Sequence, residues 1–242
     1  MRNLLRWAER PDWQDMEAQV YAEHVDPAIA FLDLPEEEMQ DLVEPAWELL
    51  DVFIVEDFLS ARFGEEGELN VIDEYLKRRG WREPVPARRY LAALRDSSPS
   101  LYEVVEIDPG RNMRLKDLVG QGGTITVEER ERSKVPVRWD HLAGRVVSLN
   151  DSLHLTGGIL PFASEMSREL SRVFDDAVKE VRREIRKERG KAEAQALSRE
   201  QVLECVPRGM FISFSWLLQM VAGELEIRNA GDGRSCMAGA IA

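Results

Sequence analysis

The chain has 242 residues, of which 44% are hydrophobic and 32% charged, and its formal net charge is −13. That length and apolar content suffice for one large domain or two small ones with a packed core. The net charge argues against a protein that grips duplex phosphates with its whole surface. Two cysteines, Cys205 and Cys236, form neither a metal-ligand spacing nor a disulfide framework, which fits a reducing cytoplasm. Residues 1–13 have no long apolar core and no small-residue cleavage site, so no signal peptide is expected.

Residues 1–60 hold three basic residues, Arg2, Arg6 and Arg10, against sixteen acidic ones, and so carry the entire net charge. A solvated helical face is the plain reading of such a run. Repelling nucleic acid, imitating it, or docking on a basic surface are the alternatives.

The first hundred residues read as helical. Pro35 followed by Glu36, Glu37 and Glu38 marks a helix start, where acids suit the positive end of the helix dipole. A break or kink is expected near Pro45. Trp47, Leu50, Phe53, Ile54, Phe58 and Leu59 then recur at helical spacing as a core-facing stripe that ends at Phe63-Gly64. In the next helix Val71, Tyr75 and Leu76 lie on one side, and Lys77, Arg78 and Arg79 fill the last turn before Gly80, which is read as its stop. A helix over 86–95 follows, with Tyr90, Leu91 and Leu94 apolar, and 96–100 breaks it.

Residues 100–162 read as a β-rich island. Apolar Leu101, Val104 and Ile107 begin it, and Asp108-Pro109-Gly110 turns it. Leu115 and Leu118 fit a short helical turn or a strand. Residues 124–127 are β-branched throughout, and strands are predicted over 135–139, 143–149 and 152–155. Asn150-Asp151 fits a two-residue hairpin. Four to six short strands in about sixty residues point to a small barrel or a strongly twisted sheet.

Helix returns near Ala163. Leu170, Phe174, Val178, Val181 and Ile185 share one face, and beyond Ile185 the charged pattern runs on toward solvent. Ser198 with Gln201 forms a capping box. Pro207-Arg208-Gly209 separates that helix from an apolar one over 210–222, which is expected to end at Gly223. From Leu225 the chain reads as a strand and then a loop.

Little in this sequence assembles into catalytic chemistry. Gly120, Gly122 and Gly123 precede a β-branched strand with no adjacent lysine, so they read as a hairpin turn and not as a phosphate loop. His24 stands alone. His141 and His154 would form a minimal metal or acid–base site if they met with Asp140 or Asp151. The acids Glu36, Glu37, Glu38, Asp41, Glu44 and Glu48 lack the Glu-x-x-His partner of a helical metal centre. Ser97, Ser98 and Ser100 lack a nucleophile elbow. Cys205, beside Leu203 and Val206, reads as core packing.

The stronger candidates are contact surfaces. Along the basic helix, Arg182, Arg186 and Arg189 share one side, and Lys179, Arg183 and Lys187 lie beside them. Glu180, Glu184 and Glu188 form a third stripe that favours intrahelical pairs. Arg182, Arg183, Arg186 and Lys187 are the candidate binding residues there. A second cluster combines Arg78, Arg79, Arg82, Arg88 and Arg89 with Trp81 and Tyr90, where stacking plus phosphate contact is one reading and helix capping with core packing the other. Arg78, Arg79 and Trp81 are its candidates.

Several strings resemble, in order, a family of uncharacterised bacterial proteins: Tyr75-Leu-Lys-Arg-Arg-Gly-Trp81, Ser100-Leu-Tyr-Glu-Val104, Asp108-Pro-Gly110, Arg114-Leu-Lys-Asp-Leu118, Glu131-Arg-Ser133 and Gly157-Gly-Ile-Leu-Pro-Phe162. The resemblance covers residues 45–165. Some similar proteins are longer and carry a cysteine-rich zinc motif of the SEC-C type, which this chain lacks. The family brings no established activity, so it implies no catalytic residue.

The resulting expectation is an α+β fold, mainly helical, with a central small β-barrel or twisted antiparallel sheet. It has an acidic helical region over 1–98, a β module over 99–162, and a C-terminal helical region with a terminal strand over 163–242. The expected function is a non-enzymatic cytoplasmic binding or adaptor protein that meets a protein partner through the β module and the adjacent basic helix. No cofactor, no metal and no membrane contact are expected. The alternatives are nucleic-acid association and a metal-dependent hydrolase built on His141 and His154.

Overall fold

A computed structural model describes residues 2–44, 46–108, 110–120, 123–128 and 141–231, with side chains described up to Gly223. The predicted strand at 135–139, the Asp140 candidate, Cys236 and the Glu131-Arg-Ser133 string lie outside these residues.

Helices α1 (Arg2–Ala8), α2 (Pro11–Leu32), α3 (Glu36–Val43), α4 (Trp47–Ser60), α5 (Val71–Arg79) and α6 (Val85–Arg95) precede the strands. Helix α3 ends at Val43 and α4 starts at Trp47, so the break expected near Pro45 is present. The stripe Leu50, Phe53, Ile54, Phe58 and Leu59 of α4 is buried. This helix ends three residues before Phe63, which instead bridges Leu69 across a short loop containing Gly64 and Gly67, both at positive φ. Asn70 then caps α5, its side chain accepting from the Asp73 N–H at 3.0 Å. Gly80 does not stop the chain by a left-handed turn. Its φ is −55°, and it opens a 3-10 turn, Gly80–Arg82, that carries Trp81.

Among the described residues the strands are β1 (Pro99–Asp108), β2 (Asn112–Asp117), β3 (Thr124–Glu128), β4 (His141–Leu149), β5 (Ser152–Leu155) and β6 (Leu160–Phe162). Their order is β1-β2-β3-β5-β4-β6, and β1 also pairs with β4, so five strands close into a small barrel. All pairings are antiparallel except a two-residue parallel seam between β3 and β5. The ten-residue β1 serves two neighbours: its first half pairs with β4, its second with β2, and a register irregularity lies between Val104 and Glu106. Such a bulge bends a strand and lets a small sheet close. Asn150 and Asp151, at φ 49° and 66°, make the two-residue hairpin that the sequence predicts.

Alternation along the strands assigns the barrel two faces. Tyr102, Leu115, Val127 and Leu142 fill its interior. The neighbouring positions Leu101 and Ala143, with Leu160 and Phe162, point the other way and join the helical core. That larger core also takes residues from α1 to α6 and from the C-terminal helices, including Trp216, Phe53, Phe58 and Phe174.

The Thr156-Gly157-Gly158 segment links β5 to β6 and packs against α4. Buried Glu56 of α4 accepts from the Thr156 hydroxyl at 2.6 Å and from the Gly157 N–H at 2.7 Å. A Cβ on Gly158 would lie 2.7 Å from the Cα of Phe53, so only glycine fits against this helix. The β2–β3 loop is tied down similarly. Asp117 accepts from Ser100 Oγ at 2.7 Å and from the N–H groups of Val119 and Gly120 at 2.9 Å each.

The C-terminal region comprises α7 (Ser164–Arg189), α8 (Lys191–Ala196), α9 (Arg199–Leu203) and α10 (Arg208–Gly231). The Ser198–Gln201 capping box forms with both of its hydrogen bonds. Helix α10 continues through Gly223 to Gly231, so the expected stop and terminal strand are corrected. The alternation of Leu225 and Ile227 with Glu224, Glu226 and Arg228 imitates a strand. A helix already formed extends more easily than a new strand starts, because each added residue gains a backbone bond, and these are mostly good helix formers.

Candidate functional site

The C-terminal end of α7 forms the most distinctive site. Gly190, at φ 94°, reverses the chain between α7 and α8, a backbone state that L side chains rarely adopt. The reversal folds α8 back along α7 and opens a cleft of about 290 Å³ lined by Lys179, Arg182, Arg183, Arg186 and Lys191, with Ala194 and Gln195. Five of these seven residues are cationic and none is acidic.

The cations differ in their freedom. Arg182 is fixed: its Nη1 donates to the Ala194 carbonyl at 2.7 Å and its Nη2 to that of Leu197 at 3.0 Å, so it caps the end of α8. Lys179 pairs with Asp176 at 2.8 Å, which raises its pKa, and Arg183 pairs with Glu180. Arg186 and Lys191 are exposed and make no hydrogen bond or ion pair with any described residue. Of the acidic stripe, Glu180 forms an intrahelical pair with Arg183, whereas Glu184 and Glu188 form none among the described residues, and two cations stand unmatched beside one rigid guanidinium.

Three of the four candidates named from this helix, Arg182, Arg183 and Arg186, line the cleft. Lys187 does not. Lys179 and Lys191 complete it, and Lys191 joins only because Gly190 turns the chain back. The glycine was the one available signal, since a glycine after a basic helix end marks a reversal.

The second cluster is built differently. Arg78 pairs with Glu74 at 2.8 Å and reaches the ring of Trp7 at 6.0 Å. Arg79 is exposed, with no partner among the described residues. Trp81 is 72% exposed, and the Arg82 guanidinium stacks 4.8 Å from its ring centroid.

A buried polar network unsuspected from the sequence lies in the core. Asp57 of α4 pairs with Arg145 of β4, a residue only 3% exposed that also donates to the Ser97 carbonyl. The other carboxylate oxygen meets His24 Nε2 at 3.1 Å, and His24 Nδ1 lies 2.9 Å from Ser213 Oγ. Burial works to raise the Asp57 pKa, but the hydrogen bond from His24 and the charge of Arg145 prevail and hold it below the usual carboxylate range. A Cβ on Gly209 would lie 2.4 Å from this carboxylate, so the first turn of α10 approaches it closely, and a helix N-terminus favours negative charge.

Asp57, His24 and Ser213 have the residue types of a nucleophilic relay but not its access. Ser213 is 0% exposed on the inner side of α10 and bonds the carbonyl oxygens of Met210 and His24. A nucleophile must touch its substrate, so this serine ties α10 to α2. His24, read from the sequence as standing alone, is the centre of the network. Its partners lie 33 and 189 residues away, so no local pattern reveals them.

The remaining candidates are dispersed. His154 pairs with Val147 across β4–β5, while His141 stands six residues before Val147 on β4, a separation of about 20 Å at ~3.3 Å per residue. The two histidines do not meet. Among the described residues no group of three His, Cys, Asp or Glu side chains is placed to hold a metal ion. Cys205 is exposed and not a core residue. Helix α9 ends at Leu203, and the turn that follows directs Val202, Leu203 and Val206 inward instead. Among the described residues no helix is long and apolar enough to cross a membrane.

No curated protein and no solved structure matches the chain. Residues 15–205 match the model of a family of unknown function, DUF7986, and the chain belongs to that family.

Proposed function

We propose that this is a binding or adaptor protein that docks an acidic segment of a protein partner in the cationic cleft between α7 and α8. The observation that carries the reading is a lining of five cations with no carboxylate, two of them unpaired. Such a cleft repels basic and attracts acidic chains, and its volume suits a few side chains and not a folded surface. Arg182, held by two carbonyls, is preorganised, so it loses little freedom when a carboxylate arrives.

On this reading the contact surface is the cleft between the two helices and does not extend to the barrel. The test is titration of a labelled aspartate- and glutamate-rich peptide into the protein, followed by anisotropy. The Arg186→Glu/Lys191→Glu variant is expected to lose at least about tenfold in affinity while keeping its circular dichroism, since both side chains are exposed. Equal binding by parent and variant, or no binding by the parent, removes the proposal.

A further inference from the structure

The three basic residues of the acidic first sixty do not lie at random. Arg2 and Arg6 belong to α1 and Arg10 follows it. This short helix docks on α5: the Trp7 and Tyr75 rings meet edge-on at 6.0 Å, Asn3 donates to Glu83 at 2.9 Å, and Tyr75 also donates to Glu83. Arg10, just after α1, and Arg78 of α5 lie over the same Trp7 ring. Docking therefore adds the cations of α1 to the basic cluster of α5, the Gly80–Arg82 turn and α6, a juxtaposition that the net charge of −13 conceals.

Trp81 lies within this basic region. The other described tryptophans, Trp7, Trp13, Trp47 and Trp216, are all under 9% exposed, whereas Trp81 is 72% exposed. Arg82 stacks on it, and Val85, 49% exposed, follows closely. Exposed Arg6, Arg79 and Arg88 have no hydrogen-bond or ion-pair partner among the described residues. Of the nearby acids, Glu74 is engaged by Lys77 and Arg78, Glu83 by Tyr75 and Asn3, and Asp12 by Arg10, whereas exposed Glu9, which follows α1, has no ion-pair partner among the described residues.

We propose that α1, α5, the Gly80–Arg82 turn and the start of α6 form a contact surface for single-stranded nucleic acid, with Trp81 stacking on a base and the free arginines meeting phosphates. An aromatic face flanked by guanidinium groups is the recurring way of holding single strands, because every base has a π-face and every nucleotide a phosphate. An acidic peptide would satisfy the arginines but leave the indole unused. A flexible strand can follow a local patch despite the net charge of −13, since exposed charges are screened beyond about 8 Å at physiological salt.

The experiment is anisotropy of a labelled oligothymidylate of about 20 nucleotides with the full chain, at about 50 and 200 mM salt, with tryptophan fluorescence read in parallel. Expected are binding that weakens with salt by a slope of roughly −0.7 per phosphate neutralised, quenching on binding, and a loss of about tenfold with loss of quenching in Trp81→Ala. Arg79→Ala/Arg88→Ala should reduce the salt slope. The cleft variant Arg186→Glu/Lys191→Glu should bind the oligonucleotide as the parent does, which separates this surface from the peptide cleft. Absence of binding at low salt, unchanged affinity in Trp81→Ala, or equal capture of a polyglutamate peptide at this surface would overturn the proposal.

Discussion

The Asp57 network and the α7–α8 cleft place charge in opposite circumstances. In the core, Arg145 and His24 are almost fully enclosed and both are answered by one carboxylate. In the cleft, five cations converge, and Arg186 and Lys191 are answered by none among the described residues. A buried charge has no water to compensate it, so it is retained only with partners and serves the fold. An exposed charge keeps its water and is cheap to leave open, so the cleft cations can stand without partners where Arg145 cannot.

This contrast breaks first at Asp57. Asp57→Ala leaves Arg145 enclosed without its counter-charge and removes the His24 acceptor. It is expected to cost about 3–5 kcal/mol in chemical denaturation. A loss below about 1 kcal/mol would place the two regions in the same class.

Gly158→Ala probes the joint between barrel and helices. The added methyl would press on the α4 backbone at Phe53, and a loss of about 1–3 kcal/mol is expected, read from the same denaturation curves.

Acid gives the third test. The Asp57 carboxyl is held below its ordinary range in the fold, so its contribution is complete above the unfolded carboxylate pKa of about 3.9 and is lost as pH falls through the lower folded value. Thermal unfolding followed from pH 6 downward should show a steeper acid loss in the parent than in Asp57→Asn, where this titration is absent. Parallel profiles would remove the assignment.

The smallest stability effect belongs to the cleft. Arg186→Glu/Lys191→Glu should shift unfolding by no more than about 0.5 kcal/mol, the usual range for exposed positions, while its acidic-peptide affinity is expected to fall at least about tenfold. A large stability loss would mean that the cleft, too, serves the fold.

Local chemistry made much of the architecture legible. The α4 stripe, the acidic start of α3, the Asn150-Asp151 hairpin, the Ser198 capping box and the Leu170, Phe174 and Val178 face all depend on spacing within one element, and all are present. Near misses arose where a local pattern had two outcomes. Gly80 continues into a 3-10 turn, Gly223 stays within a helix, and Cys205 sits just past the end of α9 instead of within it. The candidate cleft was legible in part, as Arg182, Arg183 and Arg186, because those residues follow one helical face.

The sequence by itself determined the helices, the β island, the segregation of charge and the basic face of α7, since each is a matter of neighbours within a few residues. Tertiary structure alone decided barrel closure, the pairing of His24 with Asp57 and Ser213, the entry of Lys191 into the cleft, and the docking of α1 with its arginines on α5. The physical reason is range: hydrogen-bond capping and hydrophobic period act along the chain, whereas a buried charge or a convergent patch draws its members from segments that only packing brings together.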